Sequence, residues 1–238
     1  MKNIIITSGG TSEYIDKVRK ITNSGSGKLG SLIANELTTR NDIDSIFYIH
    51  TPKAILPKID KKIKLIEVVN TNDVKIIIEN LLKEEDIFCV IHSMAISDYY
   101  VDYVSTANLM AKDLINSIDF EQTLKNSNYK LDNTSKISSN EDNLIVVLKQ
   151  TPKIINLIKK ISPNTKLIGF KLLENVTKEH LIEIAIKLKD KNNCDFVIAN
   201  DLKDIKDENH KAYLLDVKNN VKEINGKINI AKEINKVV

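Results

Sequence analysis

Residues 3–30 read NIIITSGGTSEYIDKVRKITNSGSGKLG, and the fold follows from how this stretch is parsed. The run at 4–7 is β-branched throughout, the character of a strand buried on both faces of a sheet. Ser8, Gly9, Gly10 and Thr11 end it. A loop follows, with the acids Glu13 and Asp16, then Arg19 and Asn23. The cluster Ser24, Gly25, Ser26 and Gly27 closes the loop ahead of a helix that begins near Lys28. A glycine turn after a first strand is a place for a phosphate. Bare backbone N–H groups approach the anion there, and the N-terminus of the next helix adds partial positive charge. Connections of this kind usually take about 2–6 residues, and much longer ones tend to be functional.

Outward from this stretch, strand and helix patterns alternate. A helix over 28–39 places Leu29, Leu32, Ile33 and Leu37 on one side. Strands are expected at 45–50 and 64–69, followed by a helix that Thr71 or Asn72 caps and that runs to about 83. The run at 87–92 is the most continuous apolar strand and reads as central. Later strands fall at 144–148, 167–170, 196–199 and 212–217, and later helices at 152–161, 177–191 and 229–237, with Pro152 suited to a first helical turn. This alternation predicts an α/β fold, a doubly wound, mainly parallel sheet covered by helices on both faces in a Rossmann-like three-layer arrangement. The segment 100–139 breaks the rhythm: it is polar and mixed, with one weak helical stretch at 107–118. It reads as an insertion in a single domain spanning 1–238, a flap, a lid or a partner-binding arm.

The bulk numbers agree with one soluble domain: 238 residues, 42% hydrophobic and 28% charged. A formal net charge of +3 implies no long-range attraction to nucleic acid. Cys89 and Cys194 lack a CxxC partner and read as buried thiols in a reducing, cytoplasmic setting. No apolar run approaches the roughly 20 residues that span a bilayer, and Met1 leads directly into a strand, so neither a membrane segment nor a signal peptide is expected. The histidines His50, His92, His180 and His210 show no metal-binding spacing.

A nicotinamide-dependent oxidoreductase is the first enzyme class to weigh. Its fingerprint needs G-x-G-x-x-G at the first turn and an acid roughly 20 residues on for the ribose. Here Gly9 and Gly10 are adjacent, no third glycine follows at the required step, and the second strand ends in His50 and Thr51. A nucleotide-sensing binding module on the same fold is the non-enzymatic alternative.

The stretch 7–30 resembles the signature of the phosphopantothenate–cysteine ligase family, roughly TxGGTxExID-VR-ITNxSSGxxG. Gly9, Gly10, Thr11, Glu13, Asp16, Val18, Arg19, Ile21, Asn23, Ser26, Gly27 and Gly30 match it. Further resemblances follow in order: MAISDY at 94–99, KISS at 136–139, KQTPKII at 149–155, Gly169-Phe170, and ANDL at 199–202. The resemblance covers nearly the whole chain. It looks like the free-standing bacterial enzyme of coenzyme A biosynthesis rather than the form fused to a flavin decarboxylase.

The resemblance implies a reaction and a set of roles. The 4′-phosphopantothenate carboxylate attacks the α-phosphate of a nucleoside triphosphate, CTP in bacterial members or ATP, with Mg²⁺. The amine of L-cysteine then displaces CMP. Asn23 matches the family's catalytic asparagine, and Arg19 and Lys136 match residues that handle anions, Lys136 on a mobile loop. Nucleotide contacts fall to Gly9, Gly10, Thr11, Asp98, Lys136, Thr151, Pro152, Lys153, Ile154, Phe170, Lys187 and Lys191. Ser24, Gly25, Ser26 and Gly27 would cradle the substrate phosphate, with Gly25 where the family usually has Ser or Thr. Asp98 is a candidate to meet the metal. A homodimer is implied, with the insertion helping to pair subunits. Taken singly, these residues also have structural readings: loop Asn, helix cap, solvated lysine, core phenylalanine.

Overall fold

The computed structural model describes residues 1–115, 119–141, 143–206 and 209–238. Strand β1 (Lys2–Ser8) leads into a short hairpin, β2 (Ser12–Tyr14) and β3 (Lys20–Thr22), ahead of helix α1 (Lys28–Thr38). Then come β4 (Ile43–His50), β5 (Ile63–Glu67), α2 (Thr71–Glu84) and β6 (Ile87–His92). The elements β7 (Tyr99–Thr106), α3 (Ala107–Ile115), α4 (Phe120–Lys125) and β8 (Leu144–Gln150) stand apart from the main sheet. The chain then returns through α5 (Ile155–Ile161), β9 (Lys166–Leu173), α6 (Lys178–Asn192) and β10 (Phe196–Asp201). It ends in β11 (Ile205–Lys206), β12 (Asn209–Leu215), β13 (Val221–Asn225) and α7 (Lys227–Val237).

Six parallel strands lie in the order β5-β4-β1-β6-β9-β10, and antiparallel β12 extends the sheet with β11 and β13 paired to it. Alternate side chains divide the core. Ile5, Val90, Leu167 and Val197 pack with α2, α5 and α6, while Ile4, Ile6, Ile91, Ile168 and Ile198 pack with α1 and α7. Ile4, Ile5 and Ile6 are all fully buried, each burial contributing about 1.5–3 kcal/mol, which is why the first strand is central and carries no polar face. Cys89 and Cys194 are buried free thiols, and desolvation pushes both up to about 12.

Four expectations from the sequence need correction. The run at 144–148 is a strand, but it pairs antiparallel with β7, outside the main sheet. The insertion therefore runs from Tyr99 to Gln150 rather than 100–139; of the helix expected at 107–118, Ala107–Ile115 is helical and the remainder lies outside the described residues. Pro152 does not open a helix, because Thr151 is held in an extended link: its N–H donates to the Asp98 carbonyl at 3.0 Å and its hydroxyl to the Ser97 carbonyl at 2.6 Å. Helix α2 is capped one residue earlier than expected. The Asn70 side chain accepts from the Asp73 N–H at 2.9 Å while the Asp73 carboxylate accepts from the Asn70 N–H at 3.1 Å.

Candidate active site

The order of the parallel strands reverses between β1 and β6, so the loops leaving these two strands diverge and a crevice opens at their carboxyl ends. Four hydrogen bonds tie the loops together there. Thr11 N–H donates to the Ala95 carbonyl at 3.0 Å and Ala95 N–H to the Gly9 carbonyl at 2.9 Å. The Thr11 hydroxyl donates to Ser97 Oγ at 3.1 Å and accepts from the Ser97 N–H at 2.8 Å. Thr11, expected to touch nucleotide, is thus a fully buried strut.

Both glycine bends meet at this point. A Cβ on Gly10 would fall 2.0 Å from the Asn23 carbonyl oxygen, and one on Gly25 would fall 2.6 Å from the Gly9 carbonyl oxygen. Gly9 and Gly27 adopt φ of +95° and +71°, which side chains disfavour. A Cβ on Gly30 would sit 2.5 Å from Ser8 Oγ, so α1 seats hard on the end of β1. Gly25 is accordingly a packing requirement of this chain. Gly25→Ser, which adds a side chain at this bend, is expected to lower stability by about 1–3 kcal/mol and to push the two bends apart. Thermal melts compared with wild type check it, and an unshifted melting point refutes it.

The acids of the loop are spent on architecture. Glu13 Oε1 accepts from the Thr71 N–H at 2.9 Å and the Thr71 hydroxyl at 2.7 Å, at the start of α2. Asp16 accepts from the Val18 and Arg19 N–H groups, from the Arg19 guanidinium and, across 121 residues, from the Ile137 N–H at 3.1 Å. The Arg19 guanidinium beside it holds the Asp16 carboxyl well below the usual carboxylate range. Arg19 also donates to the Ile137 carbonyl at 2.8 Å. Sequence placed Arg19 on an anion; in the structure it fastens the loop after β1 to the loop carrying exposed Lys136.

A cleft of about 630 Å³ lies over the switch point. Of the residues expected at the site, Gly9 and the run Ser24, Gly25, Ser26 and Gly27 form one wall. Asp98 faces it from the loop after β6, Lys153 from the link between β8 and α5, Phe170 from β9 and Lys191 from α6. Gly10, Asn23, Lys136, Thr151 and Pro152 are outside this lining, and Ile154 is a core residue with 2% exposure. Lys187 is not brought to the cleft: it is exposed on α6 and paired with Glu183 at 2.5 Å. The i, i+4 spacing aligned Lys187 with Lys191, but only the last turn of α6 reaches the crevice.

Gly27 gives α1 no side-chain cap and no acid lies in the first turn; the Lys28 N–H donates to Ser26 Oγ at 3.3 Å, and the N–H groups that follow remain available to an anion from the cleft. Lys28 and Lys171 add charge that sequence reading had not selected; a lysine opening a glycine-started helix was the available signal for the first. His92 lines the floor. Its Nδ1 lies 3.1 Å from the Thr7 hydroxyl, which also accepts from the Met94 N–H, and burial lowers its pKa to about 4. The imidazole is therefore neutral. Nδ1 and the Thr7 hydroxyl share one hydrogen, its direction depending on which ring nitrogen carries the proton. Asp98 pairs with Lys153 at the exposed rim. Among the described residues no group of three or more His, Cys, Asp or Glu side chains is placed to hold a metal ion by itself. A single exposed carboxylate suits a Mg²⁺ that arrives on phosphate oxygens. No helix among the described residues is long and apolar enough to cross a membrane.

Strand order, glycine turn and crevice together define a Rossmann-like α/β domain whose cleft lies at the topological switch point. The chain belongs to the family described as the DNA/pantothenate metabolism flavoprotein C-terminal domain, whose model matches residues 1–126 and 126–238. It is 30% identical over 214 residues to the coenzyme A biosynthesis bifunctional protein CoaBC of Thermococcus kodakarensis, covering 90% of this chain and 45% of that protein. With CoaBC of Methanocaldococcus jannaschii it shares 31% identity over 208 residues, 84% of this chain and 40% of that protein. The chain thus spans less than half the length of these two relatives. The crystal structure of the DNA/pantothenate metabolism flavoprotein from Streptococcus pneumoniae superposes with a TM-score of 0.86 at 36% identity, over 100% of this chain and 98% of that one.

Proposed function

We propose that this chain is a phosphopantothenate–cysteine ligase of coenzyme A biosynthesis, using CTP. A carboxylate oxygen of 4′-phosphopantothenate attacks the α-phosphorus of CTP; the P–O bond to the β-phosphate breaks and pyrophosphate leaves. The amine of L-cysteine then attacks the acyl carbon, loses a proton and displaces CMP, forming the amide. Both substrates are anions, so the site's work is to hold them together and stabilise charge as it develops. The observation that carries this reading is the meeting of the two glycine bends on one cleft at the switch point. Ser24, Gly25, Ser26 and Gly27, with the open first turn of α1, receive the substrate phosphate; Asn23 donates from its amide to the acyl oxygen. Gly9, Asp98, Lys153, Phe170 and Lys191, which line the cleft, hold the nucleotide, and Gly10 shapes the bend behind Gly9. Asp98 would hold Mg²⁺, which would neutralise triphosphate charge when bound.

The deciding experiment is pyrophosphate release in the presence of phosphopantothenate, cysteine and each of the four nucleoside triphosphates. Release with CTP, dependent on phosphopantothenate and unaffected by NADPH, is the expected result; nucleotide binding without release would overturn it. The Asp16–Arg19–Ile137 tie anchors the residue next to Lys136. Lys136 itself does not line the cleft, and in this reading its loop closes over the triphosphate when the nucleotide binds. Lys136→Ala is expected to weaken CTP about tenfold and CMP by less than twofold, as titration calorimetry would read. Equal losses for both would remove Lys136 from the triphosphate.

The arm supports a homodimer. Tyr99, Leu148, Ile115 and Phe120 are exposed on it by 50%, 42%, 82% and 60%. Replacing the arm by a short linker is expected to give an inactive monomer, with light scattering and turnover measured on the same sample; a monomer that turns over normally would refute its part in pairing and in the site.

A further inference from the structure

Tyr48 stands on β4 in register with Ile6 of β1, fully buried on the sheet face that α1 covers. A phenylalanine would fill nearly the same space, and a hydroxyl taken to that depth costs free energy unless it is hydrogen-bonded. This hydroxyl has two acceptors. It lies 2.8 Å from Ser8 Oγ and 3.2 Å from the Ile55 carbonyl oxygen, its hydrogen shared between them. Burial pushes the phenol up to about 12, so at neutral pH it keeps its proton and remains a donor.

Both acceptors lead to one place. Ser8 is 1% exposed, and its hydroxyl donates in turn to the Gly27 carbonyl at 3.1 Å. Ile55 donates its N–H to the Ser26 carbonyl at 2.9 Å. The bend before α1 is therefore held at two successive carbonyls, and the Tyr48 hydroxyl is bonded to the residue behind each. There is little slack. A Cβ on Gly27 would fall 2.8 Å from Ser8 Oγ and 3.0 Å from Ala54 Cβ. The Gly27 carbonyl also accepts the first helical bond, from the Ser31 N–H at 3.0 Å. A helix sends its carbonyls one way along the axis and its N–H groups the other, so a fixed Gly27 carbonyl fixes where the Leu29 and Gly30 N–H groups point. Both residues line the cleft. Hydrogen bonds in series polarise one another, which stiffens the run from Tyr48 through Ser8 to Gly27.

We infer that Tyr48 is a positioning residue: through Ser8 and Ile55 it fixes the Ser24–Gly27 bend and aims the first turn of α1 at an anion in the cleft, without touching the anion itself. That the anion is the phosphate of 4′-phosphopantothenate rests on the ligase reading; the relay rests on the two hydrogen-bonded links.

The test compares Tyr48→Phe, Ser8→Ala and the double variant with wild type, as full chains at a temperature where all are folded. Titration calorimetry reads the affinities of phosphopantothenate, pantothenate and CTP. Backbone amide spectra follow the Leu29 and Gly30 signals as inorganic phosphate is added, and phosphate is expected to move both in wild type. In Tyr48→Phe the preference for phosphopantothenate over pantothenate is expected to fall about tenfold, the phosphate concentration at half-shift to rise about as much, and CTP affinity to stay within about twofold. Ser8→Ala should lose a similar amount, and the double variant no more than about twofold beyond either, because the two hydroxyls act in one chain. A hydroxyl that only stabilises the fold would lower the melting temperature and leave the preference unchanged. That result overturns the relay, as do losses that multiply in the double variant, or α1 amides that inorganic phosphate never moves. Phosphate shifts that weaken in Tyr48→Phe, in a chain that makes no amide product, would defeat the ligase reading and keep the relay; normal product formation with an unchanged preference would do the reverse.

Discussion

Asn23→Ala is expected to lower turnover by about 10²–10³-fold while leaving CTP affinity within about twofold. Asn23 is held by its main chain: its N–H donates to the Thr11 carbonyl at 3.0 Å, and its carbonyl is pressed against Gly10. The side chain is half-buried, and its Nδ2 has only a 3.5 Å approach to the Ala95 carbonyl. A donor this weakly committed is available to an acyl oxygen without first breaking a strong bond. Removing the amide takes nothing from the backbone that shapes the bend, so nucleotide binding persists. The effect should fall on the second half-reaction: pyrophosphate appears in a single burst, and the acyl-nucleotide accumulates. Rapid-quench analysis separates the two halves, and a variant with wild-type turnover would exclude the role.

Gly10→Ala has the larger structural consequence. The new methyl group would be placed 2.0 Å from the Asn23 carbonyl oxygen and 3.1 Å from the Gly25 nitrogen, both main-chain atoms that no rotamer change can move. Relief requires the bend at Gly9 and Gly10 to separate from the bend at Ser24–Gly27, the two walls on which the proposed chemistry depends. Overpacking of this kind costs about 1–3 kcal/mol in stability. Activity is expected to fall below detection, since a displacement of about 1 Å in a reacting geometry is itself worth about a hundredfold. Melting temperature and kcat/KM measured together check it. A variant with both unchanged would mean that the bends are not in contact in solution.

These two residues show which parts of the site could be read in advance. Gly10 and Asn23 stand in the same quoted stretch, but their contact depends on the hairpin of β2 and β3 turning the loop back, and that hairpin was read only as a loop. Its strands have three residues each, too short for a period to register. The acids were visible as a pair, yet their tasks were not. Glu13 serves a helix 58 residues away, and Asp16 a main-chain N–H 121 residues away. Lys187 and Lys191 looked equivalent by spacing, whereas the direction of α6 puts one in the cleft and the other in solvent beside Glu183.

The order of apolar runs and amphipathic helices determined the layered α/β architecture from sequence alone, because burial on both faces of a parallel sheet leaves an unbroken hydrophobic run in each strand. The glycines around Gly9 and Gly27 likewise announced the phosphate-sized bends, because only bare backbone permits them. Tertiary structure alone decided that the run at 144–148 leaves the sheet to pair with β7, that Arg19 is a tie between two loops, and that the Tyr48 hydroxyl meets Ser8 under the bend before α1. Each of these depends on which distant segments are brought together. Local pattern records whether a side chain wants to be buried, and it does not record what it will be buried against.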